Sequence, residues 1–496
     1  MQNNQPNQPQ LSFWQVWNVS FGFLGVQFGF ALQNANVSRI LSDLGADLHS
    51  LSLFWLVAPI MGLIVQPIVG AASDRTWNRL GRRRPFILAG AVAAAIGMFL
   101  MPNAPLFVAF MAPMIFGALM LALMDASFNV CFQPFRALVS DMVPAKQRNI
   151  GYSVQSLLIN IGAVVGSILP FLLTNVVGLE NTAQAGEVAP SVVWAFYIGA
   201  SVLLGSVLWT VFRTKEYEPK DYYAYKGMDH AEVEKELAVK KSLGTKLADF
   251  WGLMKTMPTT MRQLAVVQFF SWFALFIMWV YTMPAITQHI WGLETQWFDP
   301  DYLASVEVVP DFVVEAKGAA GDWVGIMFAA YSLFAAIFSV FLAKLADKIG
   351  RKTVYAGALA LGGLSYISFI MFQDLTLVNV NLLITSVEVP QGAVNLMLPM
   401  IGVGIAWAAI LAMPYAILAG SLPANKTGVY MGIFNFTIAA PQIVSGLLSG
   451  WILSNVFDNQ AKYIIILAGV SMLCAAASVF LVKEKDSAQD VEQATA

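Results

Sequence analysis

Charge is scarce in this chain: Asp, Glu, Lys and Arg make up 12% of its 496 residues. A soluble domain carries about 25%, so too little polar surface is left here to face water. The net charge of −2 gives no basic face for a nucleic acid. Soluble enzymes and nucleic-acid binders are excluded together. Cysteine is nearly absent, and its two copies, Cys131 and Cys474, both sit inside apolar runs. That rules out a disulfide framework and a cysteine metal site. The three histidines, His49, His230 and His289, are scattered, which argues against a catalytic zinc or a haem. The opening MQNNQPNQPQ has no basic stretch, so no cleavable signal peptide is expected and the first span should insert by itself.

What the chain has in abundance is apolar sequence: 58% of its residues are hydrophobic and the mean hydropathy is +0.65. Charge-free runs between polar loops place spans near 12–34, 51–72, 85–101, 106–134, 150–175, 191–212, 263–288, 323–343, 353–372, 398–419, 429–453 and 461–482. Pro102-Asn103-Ala104-Pro105 is expected to be the tight turn between the third and fourth. The expected fold is an all-α polytopic membrane protein, twelve transmembrane helices in two six-helix pseudo-repeats. Its parts are an N-terminal bundle (1–212), a linker (213–262) and a C-terminal bundle (263–496). If both termini face one way, the loops on that side hold all but three of the 28 Lys and Arg. The exceptions are Arg39, Lys317 and Lys462. The positive-inside rule then puts both termini in the cytoplasm of an inner or plasma membrane. Within the linker, HAEVEKELAVKKSLGTKLADFWGLMKT reads as an amphipathic helix on the inner membrane face; a regulatory docking site is the alternative. The opposite loop 290–322 is acidic and reads as a folded cap.

The two halves repeat one another. GAASDRTWNRLGRRRP follows the second span and AKLADKIGRKT follows the eighth. Asp74 and Asp347 correspond, as do Gly81-Arg82-Arg83 and Gly350-Arg351-Lys352. PFRALVSDMVPAKQRNIG after the fourth span pairs with PYAILAGSLPANKTGVYMG after the tenth. A duplicated six-helix unit suits alternating access, two bundles rocking about a midplane site. In that scheme Asp74, Arg75, Gly81, Arg82, Arg83, Asp347, Gly350 and Arg351 form a cytoplasmic latch of carboxylates and guanidinium forks. A plain positive-inside anchor is the other reading.

Gly70, Asp74, Arg75, Gly81, Arg82 and Arg83 resemble the G-x-x-x-D-R-x-G-R-R signature of the major facilitator superfamily, with four residues added between Arg75 and Gly81. GVQFGFALQ (25–33), IVQPIVGAASDR (64–75), GRRRPF (81–86) and FQPFRALVSDM (132–142) narrow the resemblance to the sucrose–proton symporters, the plant sucrose carriers and their animal and bacterial relatives. The resemblance is dense through the first five spans and thinner beyond. It implies an Asp on the fourth helix that accepts the coupling proton and, eleven residues on, an Arg in the substrate path. Asp125 and Arg136 have that spacing. It also implies a disaccharide such as sucrose or maltose as substrate. The plant D-T-D segment of the seventh span is missing, replaced by Trp279, Val280 and Tyr281. His49 falls out of register with a plant histidine and is not carried over.

The residues make part of this case on their own. Asp125 is the only acidic residue inside the twelve expected spans. A carboxylate there costs about 2.5–3.5 kcal/mol on insertion scales, and a carboxyl whose cavity opens to alternate sides is what proton coupling needs. Eleven residues bring Arg136 to within about 20° of the same helix face, about 16 Å further along, too far for a direct pair. A carboxyl bonded only to a neighbouring helix is the alternative for Asp125, and a topogenic charge the alternative for Arg136. Sugar recognition needs amides and an aromatic platform. Gln27, Asn129, Asn160, Gln268, Trp272, Asn435 and Gln442 lie mid-span, though buried amides also join helices. IGAVVGSILP (161–170) and VSGLLSG (444–450) read as close helix packing.

The expected function is therefore a proton-coupled sugar symporter, monomeric, with no cofactor beyond H+. A sodium-coupled or uncoupled sugar carrier (glucose included) and an efflux carrier remain alternatives. No nucleophile–base or metal set supports an enzyme.

Overall fold

The computed structural model describes residues 8–144, 147–184, 186–226, 252, 255, 257–382, 385–419 and 427–483. The first bundle comprises α1 (Phe13–Ser20), α2 (Gly22–Asp43), α3 (Leu48–Trp55), α4 (Val57–Arg75), α5 (Arg84–Leu100), α6 (Pro113–Met142), α7 (Arg148–Leu172) and α8 (Pro190–Arg213). A short α9 (Pro219–Lys226) follows it. The second comprises α10 (Thr259–His289), α11 (Pro300–Ser305), α12 (Asp311–Ile349), α13 (Arg351–Ser368), α14 (Gln391–Asn395), α15 (Met397–Ala419), α16 (Thr427–Asn455) and α17 (Ala461–Ser478). The expected amphipathic helix of the linker lies outside the described residues.

Among the described residues, 11 helices are long and apolar enough to cross a membrane, and they match the second to twelfth expected spans. Where the first was expected, α1 and α2 meet at Phe21. Polar content explains why α2 stands apart: Gln33, Asn34, Asn36, Ser38, Arg39 and Ser42 are all buried on it. It packs chiefly against α7 and α8. Two glycines let α7 come that close. A Cβ on Gly162 would lie 2.3 Å from the Leu24 carbonyl oxygen, and one on Gly166 2.4 Å from that of Phe28.

One expectation needs correction. Pro102–Pro105 is not the turn between the third and fourth spans. It lies within a 3-10 segment, Met101–Phe107, that extends α5, and α6 starts only at Pro113. The 3-10 geometry accommodates proline where a continued α-helix would clash. The helical architecture stands, with one small addition outside the spans. The loop after α13 forms an antiparallel hairpin, β1 (Leu377–Leu382) and β2 (Thr385–Pro390), registered Leu377 to Pro390 and Leu382 to Thr385.

The bundles meet toward the side opposite the arginine-rich loops, here called the far side. A Cβ on Gly446 would lie 2.4 Å from Leu56, on Gly450 2.3 Å from the His49 carbonyl, and on Gly325 2.4 Å from that of Ser167. Ser38 Oγ donates to the Trp279 carbonyl at 3.4 Å. Among the described residues, no hydrogen bond joins the bundles at their basic ends.

Candidate functional site

Asp125 sits midway along α6 and is 2% exposed. Gln33 of α2, itself fully buried, donates from Nε2 to Asp125 Oδ1 at 2.8 Å. One turn further on, Asn129 Nδ2 donates to the Asp125 carbonyl at 2.8 Å, and its Oδ1 accepts from Gln66 Nε2 at 2.6 Å. Gln133 reaches Gln66 Oε1 at 3.5 Å. These amides join α2, α4 and α6 around one carboxyl. Gln33 and Gln66 were missed as site residues, although both lie in the stretches that carry the family resemblance.

Arg136 does not join that network. Its side chain is open to solvent although protein surrounds it, and Tyr415 of α15 lies within its electrostatic reach. The Phe132 ring lies 5.9 Å from its guanidinium carbon. An exposed arginine surrounded by protein is reached by water from within the bundle, and the close contacts between the bundles lie on the far side of it.

Across from α6, Gln268 on α10 is fully buried and its Oε1 accepts from Trp272 Nε1 at 3.1 Å. Trp272 is one of three tryptophans with ring centroids 5.9 to 6.3 Å apart, the others being Trp279 and Trp407. Trp279 and Trp407 are half-buried, so their faces are partly free. Trp407, on α15, escaped the sequence reading because 135 residues separate it from Trp272. The remaining candidates share no hydrogen bond with either group among the described residues. Asn160 spends its Nδ2 on the carbonyl and hydroxyl of Ser156. Gln27 and Asn435 are half-buried and make no side-chain hydrogen bond among the described residues. Gln442 donates to the Ile438 carbonyl at 3.2 Å.

At the basic ends the first repeat forms a dense ionic cluster. Arg83 pairs with Asp74 at 2.6 Å and with Asp141 at 3.2 Å, and Arg82 pairs with Asp141 at 2.6 Å. Gly81 takes φ +111°, turning the chain so that Glu216 accepts from the backbone N–H groups of Arg82, Arg83 and Arg84. The Arg82 guanidinium carbon lies over the ring of Tyr222 on α9, 4.2 Å from the ring centroid, and the Tyr222 hydroxyl donates to Asp141 at 2.9 Å. Burial pushes the Tyr222 hydroxyl up to about 12, so it remains a donor through the neutral range. Burial alone would lower Arg82, but Asp141 and Tyr222 outweigh it and hold the guanidinium above its ordinary range. Arg75 is exposed and takes no part among the described ion pairs.

The second repeat differs from expectation. Asp347 is exposed, with no ion pair among the described residues, and Arg351 donates instead to the Ala416 carbonyl at 3.1 Å. Gly350 keeps the positive φ, +90°, and ends α12. The cause is missing partners. The position matching Asp141 is Ser421, which leaves no second carboxylate to gather the basic residues.

Asp125 is also not the only charge within the helical bundle. Arg39 and Asp322, expected in far-side loops, lie on α2 and α12 and form a buried ion pair at 3.3 Å that ties the bundles together. Asn181 donates to Asp322 at 3.0 Å and accepts from Arg39 through its carbonyl. The acidic stretch 290–322 is accordingly no separate cap, because Asp311, Glu315 and Asp322 belong to α12.

Residues 40–238 match a family described as MFS/sugar transport protein, and residues 301–495 match the Major Facilitator Superfamily. The chain is 26% identical over 272 residues to a general alpha-glucoside permease of Schizosaccharomyces pombe, covering 52% of this chain and 45% of the permease. It is 31% identical over 169 residues to proton-associated sugar transporter A of Mus musculus, covering 32% of this chain and 22% of that protein. These alignments thus span less than half of either relative. A sucrose transport protein of Arabidopsis thaliana is 25% identical over 448 residues, 86% of this chain and 81% of that one. The backbone is similar to a crystal structure of a nucleoside transporter, with TM-score 0.61 at 16% identity over 94% of this chain and 99% of that one. That likeness is one of fold. With one major facilitator match in each half, at residues 40–238 and 301–495, this multi-pass membrane protein belongs to the major facilitator superfamily, whose members are transporters rather than enzymes.

Proposed function

We propose that the protein is a sugar–proton symporter working by alternating access. The observation that carries the reading is Asp125, a carboxyl buried in mid-helix with an amide for a partner and no cation paired to it. A group of this kind is stable in a bilayer when neutral and is charged only when water reaches it. Alternate exposure of the two sides then moves one proton per cycle. Arg136, eleven residues further along α6, is the supporting charge whose field favours release of that proton. Gln268, Trp272 and the half-buried Trp279 and Trp407 supply the amide and aromatic faces a sugar ring needs. Asn129, Gln27, Asn160 and Asn435 are proposed as further hydroxyl partners. The names of the relatives support an α-linked glucoside or sucrose as cargo. The basic side faces the cytoplasm, the ionic cluster around Asp74 holds that end of the first bundle together, and Arg39–Asp322 closes the far side.

The test is the pH outside deenergised cells or liposomes on addition of single sugars. Alkalinisation with sucrose or maltose is expected, and it should vanish in Asp125→Asn while sugar exchange persists. Normal accumulation in that variant would sink the assignment. Silence with exchange intact in the wild type would favour an uncoupled or sodium-linked carrier.

A further inference from the structure

The Gln33–Asp125 pair has an unbalanced feature. Gln33 Nε2 donates to Asp125 Oδ1, yet Asp125 Oδ2 and Gln33 Oε1 are both fully buried and have no partner among the described residues. Both orphans are acceptors, so nothing either group carries as drawn can satisfy them. Each buried unpaired acceptor costs about 1–3 kcal/mol. One added proton removes both costs, because an O–H on Oδ2 can donate to Oε1. An acid and a primary amide then match face to face, each giving one hydrogen bond and accepting one.

We propose that Gln33 is the positioning residue of the coupling carboxyl: the amide and the protonated Asp125 form a two-bond pair between α2 and α6, and departure of the proton leaves one bond. This rests on the reading of Asp125 as the coupling group. The proton arrives from the far side, resides on Oδ2 and leaves toward the basic side; no other bond changes. The pair thereby converts occupancy by a proton into cohesion between two helices. α2 also carries Arg39 of the far-side ion pair, 6 positions along from Gln33, so the amide sits on the element that closes the far side.

No other titratable group competes for the carboxyl. On the elements packed against α6, α2 carries Arg39 and Asp43 at its far end. Asp74 and Arg75 of α4, Arg84 of α5 and Arg148 of α7 lie at the basic end, with Tyr152 one turn in. Cys131, Arg136 and Asp141 are on α6 itself. None of them is hydrogen-bonded or ion-paired to Asp125. The flanking side chains Leu121, Met124 and Phe128 are apolar and fully buried.

Infrared difference spectra of the reconstituted protein between acid and alkaline pH test the pair directly. The C=O stretch of the protonated carboxyl is assigned by its loss in Asp125→Asn. In Gln33→Leu that band should move to higher frequency, as for a carboxyl stripped of hydrogen bonds, and proton-driven accumulation should fall roughly tenfold while sugar counterflow continues. An unmoved band overturns the role of Gln33. Absence of any band lost in Asp125→Asn overturns instead the reading of Asp125. Should Gln33→Leu fail to insert, Gln33→Glu keeps the size and hydration of the site. A second carboxyl one hydrogen bond away can hold charge only at the first one's expense. Half-maximal uptake is therefore expected about one pH unit or more to the alkaline side. A lowered rate at an unchanged midpoint would mark Gln33 as structural filler and overturn the proposal.

Discussion

The loop after α4 and the loop after α12 carry the same pattern of an Asp followed by Gly, Arg and a second basic residue, and the chain ties down only one of them. In the first, Asp141 gathers Arg82 and Arg83, Asp74 pairs with Arg83, and Glu216 caps the turn. In the second, Asp347 faces solvent and Arg351 finds only a backbone carbonyl. The interiors divide along the same line. α2 and α6 share a buried carboxyl set among amides, whereas α10 and α15 present tryptophans and a single buried glutamine. A duplicated motif thus marks where a latch can form, and residues outside the motif decide whether it does. On the proposed function, proton chemistry falls in the first bundle and sugar stacking in the second, and rocking one against the other would couple them.

The largest effect should come from Glu216→Ala, because it strips the acceptor from three backbone N–H groups at once. With about 1–3 kcal/mol for each buried donor left unpaired, a loss of roughly 4 kcal/mol of stability is expected. The thermal unfolding midpoint in detergent reads it. A midpoint like that of the wild type would mean that water replaces the carboxylate freely and that the cluster is an orienting charge only.

Asp141→Asn against Asp347→Asn sharpens the contrast between the repeats. Asp141 holds Arg82, Arg83 and the Tyr222 hydroxyl together. Taking its charge from partly buried guanidinium groups should cost about 3 kcal/mol. Asp347→Asn, at an exposed side chain, should leave the midpoint unchanged. Equal effects from the two variants would restore the symmetric latch that the motif alone suggests.

The same contrast explains how far the sequence carries. Hydropathy is local, and it located the eleven strongly apolar spans; α2 is polar, and its place depends on glycines of α7 that only packing reveals. The latch motif was legible because Asp74 and Arg83 lie nine residues apart. Its deciding partners, Asp141 and Glu216, lie far along the chain, and although Asp141 falls within FQPFRALVSDM, nothing in the sequence says that either meets this loop. Asp125 stood out because a lone charge in an apolar run is conspicuous. Gln33 did not, since an amide 92 positions away resembles any other helix-joining amide. Arg39 and Asp322 were read as loop charges because helices α2 and α12 run past their apolar segments, and only pairing makes such charges stable inside.

The smallest expected effect separates the bundles by function rather than stability. Trp407 contributes one face of the aromatic group, 5.9 Å from both Trp272 and Trp279. Trp407→Ala removes about 0.5–1.5 kcal/mol of aromatic contact, so sugar KM should rise roughly tenfold at most. Because Trp407 touches neither Asp125 nor Gln33, the number of protons moved per sugar should not change. That ratio, measured from paired pH and uptake traces, is the informative quantity. An unchanged ratio with a raised KM keeps sugar binding in the second bundle and proton binding in the first. A changed ratio would mean that the tryptophans set the protonation step as well, and the division between the halves would fail.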